Sequence, residues 1–194
     1  MTRASIVYFD SPGTKNTEFV LNSVLERLKG GDIKHVVVAS NSGATGKKMI
    51  SKLKGTDVQI VVVTSQCGFD KEGMNDMDPE TESEILSSGA KVVRTTHALS
   101  GVERSFSKRL GGTSRVESVA EALRSLFGQG MKVCVEITVM AADGGAIPCG
   151  DREVIAVAGS DSGADTACVV RPGHANSFFN LEVREILAKP RRRK

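Results

Sequence analysis

Short β-branched runs alternate with stretches of helical periodicity through most of the chain, and this alternation constrains the fold more than any other feature. Ile6 to Phe9 is the first run; Leu21, Val24, Leu25 and Leu28 then repeat at helical spacing until Gly30-Gly31 stops them. Val36 to Ala39 reads as a second strand, Met49, Ile50 and Leu53 as the buried stripe of the next helix, and Val58 to Val63 as a third strand. Asp78-Pro79 has the signature of an N-cap with proline in the first turn, Gly89 closes that helix, and Lys91 to Arg94 is a fourth strand. Leu99, Val102, Phe106 and Leu110 fit one helix face. Ser114 and Glu117 then form a capping box ahead of the stripe Val116, Val119, Ala120, Leu123, Leu126 and Phe127, which ends at Gly128. From Lys132 the pattern reads as strands without helices between them: Val133 to Ala141, Val154 to Ala158 and Ala167 to Arg171. Strands alternating with helices call for a mostly parallel sheet covered on both faces, and the late strands for an antiparallel addition at one edge. The expected fold is an α/β sandwich.

With 194 residues the chain has enough for one good core and too few for two, so residues 1–190 are expected to form a single domain carrying a basic tail, 191–194. The 26 basic and 23 acidic residues leave a charge of only +3, which implies no strong field toward nucleic acid or anionic lipid. Cys67, Cys134, Cys149 and Cys168 form no C-x-x-C pair, so neither a zinc site nor a redox dithiol is expected, and no metal ligands are assigned. Cys134 and Cys168 sit in apolar runs and read as buried thiols. No apolar run approaches the ~20 residues that span a bilayer, and the first residues lack a signal-peptide layout. The expectation is a cytoplasmic protein with no membrane partner.

In a parallel sheet the strand-to-helix loops emerge beyond the carboxyl ends of the strands, where ligands bind. The second such loop, Ser40, Asn41, Ser42, Gly43, Ala44, Thr45 and Gly46, offers small side chains, hydroxyls and backbone amides at a helix start, which suits a phosphate; it also reads as a tight turn with a capped helix. It is not a nucleotide P-loop, because Asn41 and Lys48 stand where glycine and Ser/Thr are needed. On the same edge Thr64, Ser65, Gly68 and Phe69 follow the third strand, and Thr95, Thr96, His97, Ser100 and Gly101 follow the fourth, with Ser100 and Glu103 read as another capping box. His97 suits a hydrogen bond to a ligand or a local structural partner, and Phe69 a ligand ring or the core. Met140 to Pro148 ends the strand read from Val133, placing Met140 and Asp143 on what is expected to be the same side; Asp143 before Gly-Gly is equally ordinary turn chemistry. Gly159 to Thr166 joins two late strands, either as a cover for an anion or as a flexible hairpin loop. Replacing Gly43 with a bulky residue is expected to block anion entry and spare the fold.

The segment ASNSGATGKKMISKLKGTDVQIVVVT resembles the C-terminal domain of pyruvate kinase, and VAVAGSDSGADTACVVRP resembles its final hairpin. THALSGVERSFSKRLGG, VAEALRSLFGQGMKVCVEITVMAADGGAIP and GADTACVVRPGHANSFF are similar to stand-alone archaeal pyruvate kinase alpha/beta domain proteins. The resemblance implies a three-layer α/β fold of regulatory ancestry. Phosphotransfer in the kinase belongs to a separate barrel of about 250 residues, for which this chain has no room, so kinase activity is not expected. The kinase domain implies a phosphate on Ser40 to Thr45 under the hairpin Gly159 to Thr166, while the tryptophan loop for a second phosphate has no counterpart. The stand-alone family implies a bound flavin mononucleotide (FMN): phosphate on the loop, ribityl chain on hydroxyls and amides, and the ring against Phe69, His97 or Met140.

The functional expectation is therefore a binder of a phosphorylated ligand, FMN first, through Ser40, Asn41, Ser42, Gly43, Ala44, Thr45, Thr64, Gly68, Phe69, His97, Ser100, Gly101, Met140 and Asp143. Whether a reaction is catalysed stays open: no acid-base or nucleophile arrangement stands out, and Cys67 reads as a plain loop cysteine. The alternative is a non-catalytic sensor of a phosphorylated sugar. A nucleic-acid role for the tail ranks last, and Ala175 to Phe179 suits a homo-oligomeric contact or the chain's own core.

Overall fold

The computed structural model describes residues 5–192. Seven strands form one sheet in the order β1-β7-β6-β5-β2-β3-β4: β1 (Val7–Phe9), β2 (His35–Ala39), β3 (Gln59–Thr64), β4 (Lys91–Arg94), β5 (Val154–Ala158), β6 (Thr166–Arg171) and β7 (Glu182–Pro190). All neighbouring pairs are parallel except β5–β6 and β6–β7, so the antiparallel pairings gather on the β1 side of the sheet. The helices are α1 (Thr17–Leu28), α2 (Ala44–Lys52), α3 (Pro79–Ser87), α4 (Glu103–Leu110), α5 (Arg115–Phe127) and α6 (Gln129–Asp143).

Strand pleating divides the core in two. Val36, Val38, Ile60, Val62, Ile155 and Val157 point to one face and pack with Val20, Leu21 and Val24 of α1, Met49 of α2 and Ile85 of α3. The alternate residues Val37, Val61, Val63 and Ala156 meet Met131, Cys134, Ile137 and Met140 of α6 on the other. The α5 helix lies outside α6: Ala120 packs on Val135, with Val116 and Leu123 against them. The α6 helix is thus enclosed by sheet and helix together.

That enclosure explains the main departure from the sequence expectation. Val133 to Ala141 is not a strand; it lies within α6, where nearly every residue from Gly130 to Ala142 is buried. A short apolar run cannot be told from a fully buried helix by periodicity, and the β-branched residues tip the reading toward strand. A strand absent from the sequence reading, β7, closes the sheet between β1 and β6; its charged, half-exposed residues hide the pattern.

The caps divide too. Asp78 accepts from the Thr81 amide at 2.8 Å with Pro79 in the first turn, and Ser114 with Glu117 forms the full capping box, each amide–side-chain bond 3.1 Å. Ser100 caps nothing: α4 begins one turn later, with Val102 at its N-cap and no side-chain cap bond. The expected face of that helix fails with it, since Leu99 is buried in the preceding loop whereas Val102, Phe106 and Leu110 are 68%, 58% and 74% exposed.

Candidate functional site

The start of α2 is built as expected and then closed by its own residue. Ser40, the last residue before the turn, is buried, and its Oγ accepts from the amides of Thr45 at 3.1 Å and Gly46 at 3.2 Å. The two amides converge on one oxygen, which is what a phosphate cradle requires, and Ser40 supplies that oxygen from within. Asn41, Ser42 and Ala44 stay at the surface, and Thr64 Oγ1 donates to the Asn41 carbonyl at 2.9 Å, pinning the loop to β3. Gly43 has φ +84 and faces α3: a Cβ there would run into the Thr81 methyl group and crowd Ile85. The expectation that a bulky residue at Gly43 spares the fold is therefore overturned by both the left-handed backbone and the neighbouring helix.

The loops after β3 and β4 meet at an aromatic contact. Phe69 stands edge-on to His97, ring centres 4.5 Å apart at 73°, and the Arg104 guanidinium lies 5.2 Å from the Phe69 ring centre. Gly68 takes a left-handed conformation and donates to the Met74 carbonyl at 2.8 Å, which folds the loop back on itself and presents Phe69. The His97 amide donates to Gln66 Oε1 at 3.4 Å, joining the two loops.

A cleft of about 430 Å³ opens beside this contact, lined among others by Thr96, His97, Ser100, Gly101, Met140 and Asp143. Five of the expected residues therefore share one cavity, of a size ordinary for small ligands. Ser40 to Thr45, Thr64, Gly68 and Phe69 do not line it. Met140 and Asp143 reach it from the end of a helix instead of the end of a strand. Asp143 also has protein partners: Oδ1 accepts from the Ala175 amide at 3.2 Å and lies 3.0 Å from His174 Nδ1.

A buried ion pair that sequence reasoning missed underlies the cleft's main loop. Lys132 Nζ meets Glu136 Oε2 at 2.5 Å, with side chains 5% and 7% exposed, and Glu136 Oε1 accepts from the Leu99 amide at 3.0 Å. Burial pushes the Lys132 ammonium down from its ordinary value, against the pull of Glu136. The His97 imidazole is pushed down first by burial; Lys132 and Arg104 add to this, while Glu136 and Asp76 oppose it. A neutral imidazole, acceptor and donor together, thus faces the cleft at pH 7. The one available signal was the four-residue spacing of Lys132 and Glu136, which allows an ion pair on a helix and forbids it along a strand.

The hairpin Gly159 to Thr166 is held in place elsewhere. Asp165 is fully buried; its Oδ2 accepts from the amides of Gly13 at 3.0 Å and Ser160 at 3.1 Å. Ala164 donates to Thr17 Oγ1 at 3.0 Å, and Thr14 Oγ1 donates to the Ser162 carbonyl at 3.1 Å. The loop is thereby bound to the start of α1. Cys67 is exposed in its loop, whereas Cys134 and Cys168 are buried as expected. Among the described residues no helix is long and apolar enough to cross a membrane. A family model described as pyruvate kinase, alpha/beta domain, matches residues 18–170 of the 194.

Proposed function

We propose that this chain, which belongs to the pyruvate kinase alpha/beta domain family, binds a small phosphorylated ligand, FMN foremost, at the loops following β2, β3 and β4. The observation that carries the reading is the convergence of His97, Ser100, Gly101, Met140 and Asp143 on one cleft. The residues suit the flavin: the neutral His97 offers a two-way hydrogen-bonding group to a flat ring, and Phe69, itself outside the cleft lining and backed by Arg104, holds the imidazole from behind. The phosphoryl group is assigned to the surface side of the α2 start, at Asn41, Ser42 and Ala44, where the helix end favours an anion. Bound FMN would bring redox capacity; the chain's own contribution in this reading is to bind and orient it.

The test is a visible absorption spectrum of gently purified protein, followed by FMN added to any colourless fraction. A yellow protein, or uptake of added FMN, is expected. Thr96→Trp, at an exposed lining position, should fill the cleft and prevent uptake with an unchanged circular dichroism spectrum. A colourless protein that takes up no FMN sinks the reading.

A further inference from the structure

A second and larger cavity, about 790 Å³, shares no lining residue with the cleft above and faces the other end of α6. It is enclosed by the end of α5, the start of α6, the hairpin at Ser160 and the end of β7. Its lining holds four cations, Arg124, Lys189, Arg191 and Arg192, against one carboxylate, Glu121. That local surplus of three equals the surplus of the whole chain, 26 basic to 23 acidic.

The cations are held in place, and three of the four have no carboxylate partner among the described residues. The Arg191 amide donates to the Phe9 carbonyl at 2.8 Å, extending the sheet and fixing the residue at the cavity. Lys189 Nζ donates to the Pro190 carbonyl at 2.7 Å and lies 5.8 Å from the Tyr8 ring centre. Among the described residues Lys189, Arg191 and Arg192 form no ion pair, whereas Arg27, Arg94, Arg171 and Arg184 are each paired with carboxylates. Arg124 reaches Glu121 only at 3.5 Å and is steadied by Gln129 Oε1 at 2.7 Å. The amino end of α6 brings its positive pole to the same space and the carboxyl end of α5 its negative one, so the positive field rests on the side chains.

We infer that this cavity binds a di- or triphosphate chain. Several cations spread around one hollow match a ligand carrying several negative charges, which a single phosphate does not. Phe127, 42% exposed on the wall, is placed to carry a base where the phosphates belong to a nucleotide.

Isothermal titration at low salt tests this with two probes, inorganic tripolyphosphate and ATP. Both should bind the full chain, with affinity falling as salt rises. Arg191→Glu with Arg192→Glu, both at exposed positions, should weaken both probes at least tenfold, while Thr96→Trp changes neither. Tighter binding of ATP that Phe127→Ala abolishes would assign a nucleotide; equal affinities would assign the inorganic chain. Absence of heat with both probes, or binding unaltered by the double charge reversal, overturns the inference.

Discussion

At the scale of single residues, the start of α2 rests on Ser40 and Gly43. Ser40→Ala leaves the amides of Thr45 and Gly46 without their shared acceptor, at an expected loss of about 1–2 kcal/mol in urea denaturation. An unchanged midpoint would show that water replaces the hydroxyl at no cost. Gly43 cannot serve as a probe of anion binding, because any side chain there strains the backbone and strikes α3. Ala44→Asp is the better one: the site is exposed and the helix start tolerates a carboxylate, so the variant should fold normally and repel a phosphoryl group. His97 governs a pH response. Its folded pKa lies below the ordinary value of 6.5, so the unfolded chain takes up the proton first and stability is lost as pH falls below about 6.5. His35 is shifted the same way by burial, Lys91 and Arg152. His97→Asn should therefore flatten, without abolishing, the decline in denaturation midpoint between pH 7 and pH 5; parallel declines in variant and parent would contradict the assignment.

Among the elements, α6 bears the most weight and was the hardest to read. Its residues Val133, Val135, Ile137 and Val139 favour a strand by shape, and only enclosure between sheet and α5 makes a helix of them. By contrast α3 and α5 were legible because their starts are written locally, in Asp78-Pro79 and in Ser114 with Glu117. The same limit applied to the candidate residues. Loop positions such as His97 and Ser100 could be named from their place after a strand, whereas the ion pair below them depends on a helix that the pattern concealed. That pair gives a sharp test. Glu136→Gln leaves Lys132 buried without its counter-charge and should cost about 3–5 kcal/mol, while Lys132→Met combined with Glu136→Gln removes both charges, keeps an acceptor for the Leu99 amide and should cost clearly less. Equal losses in both variants, read by chemical denaturation, would show that the pair is not a buried charge couple.

For the whole molecule, the parallel order was readable because β2, β3 and β4 alternate with helices in sequence; the place of β7 between β1 and β6 depends on contacts made by the last described residues. The fold puts the cleft and the basic cavity at different parts of α6, so a ligand in the first should leave the second open. A ligand that binds only the folded chain stabilises it by ~2.7 kcal/mol at a hundred times its Kd, so FMN at saturating concentration should raise the Tm and Thr96→Trp should cancel the rise. The most direct measurement compares FMN with riboflavin, which differ only by the phosphoryl group, in a flavin-fluorescence titration of the parent and of Ala44→Asp. FMN should bind the parent at least tenfold more tightly than riboflavin, and the aspartate should erase that difference. Equal affinities in the parent, or no binding of either flavin, would contradict it.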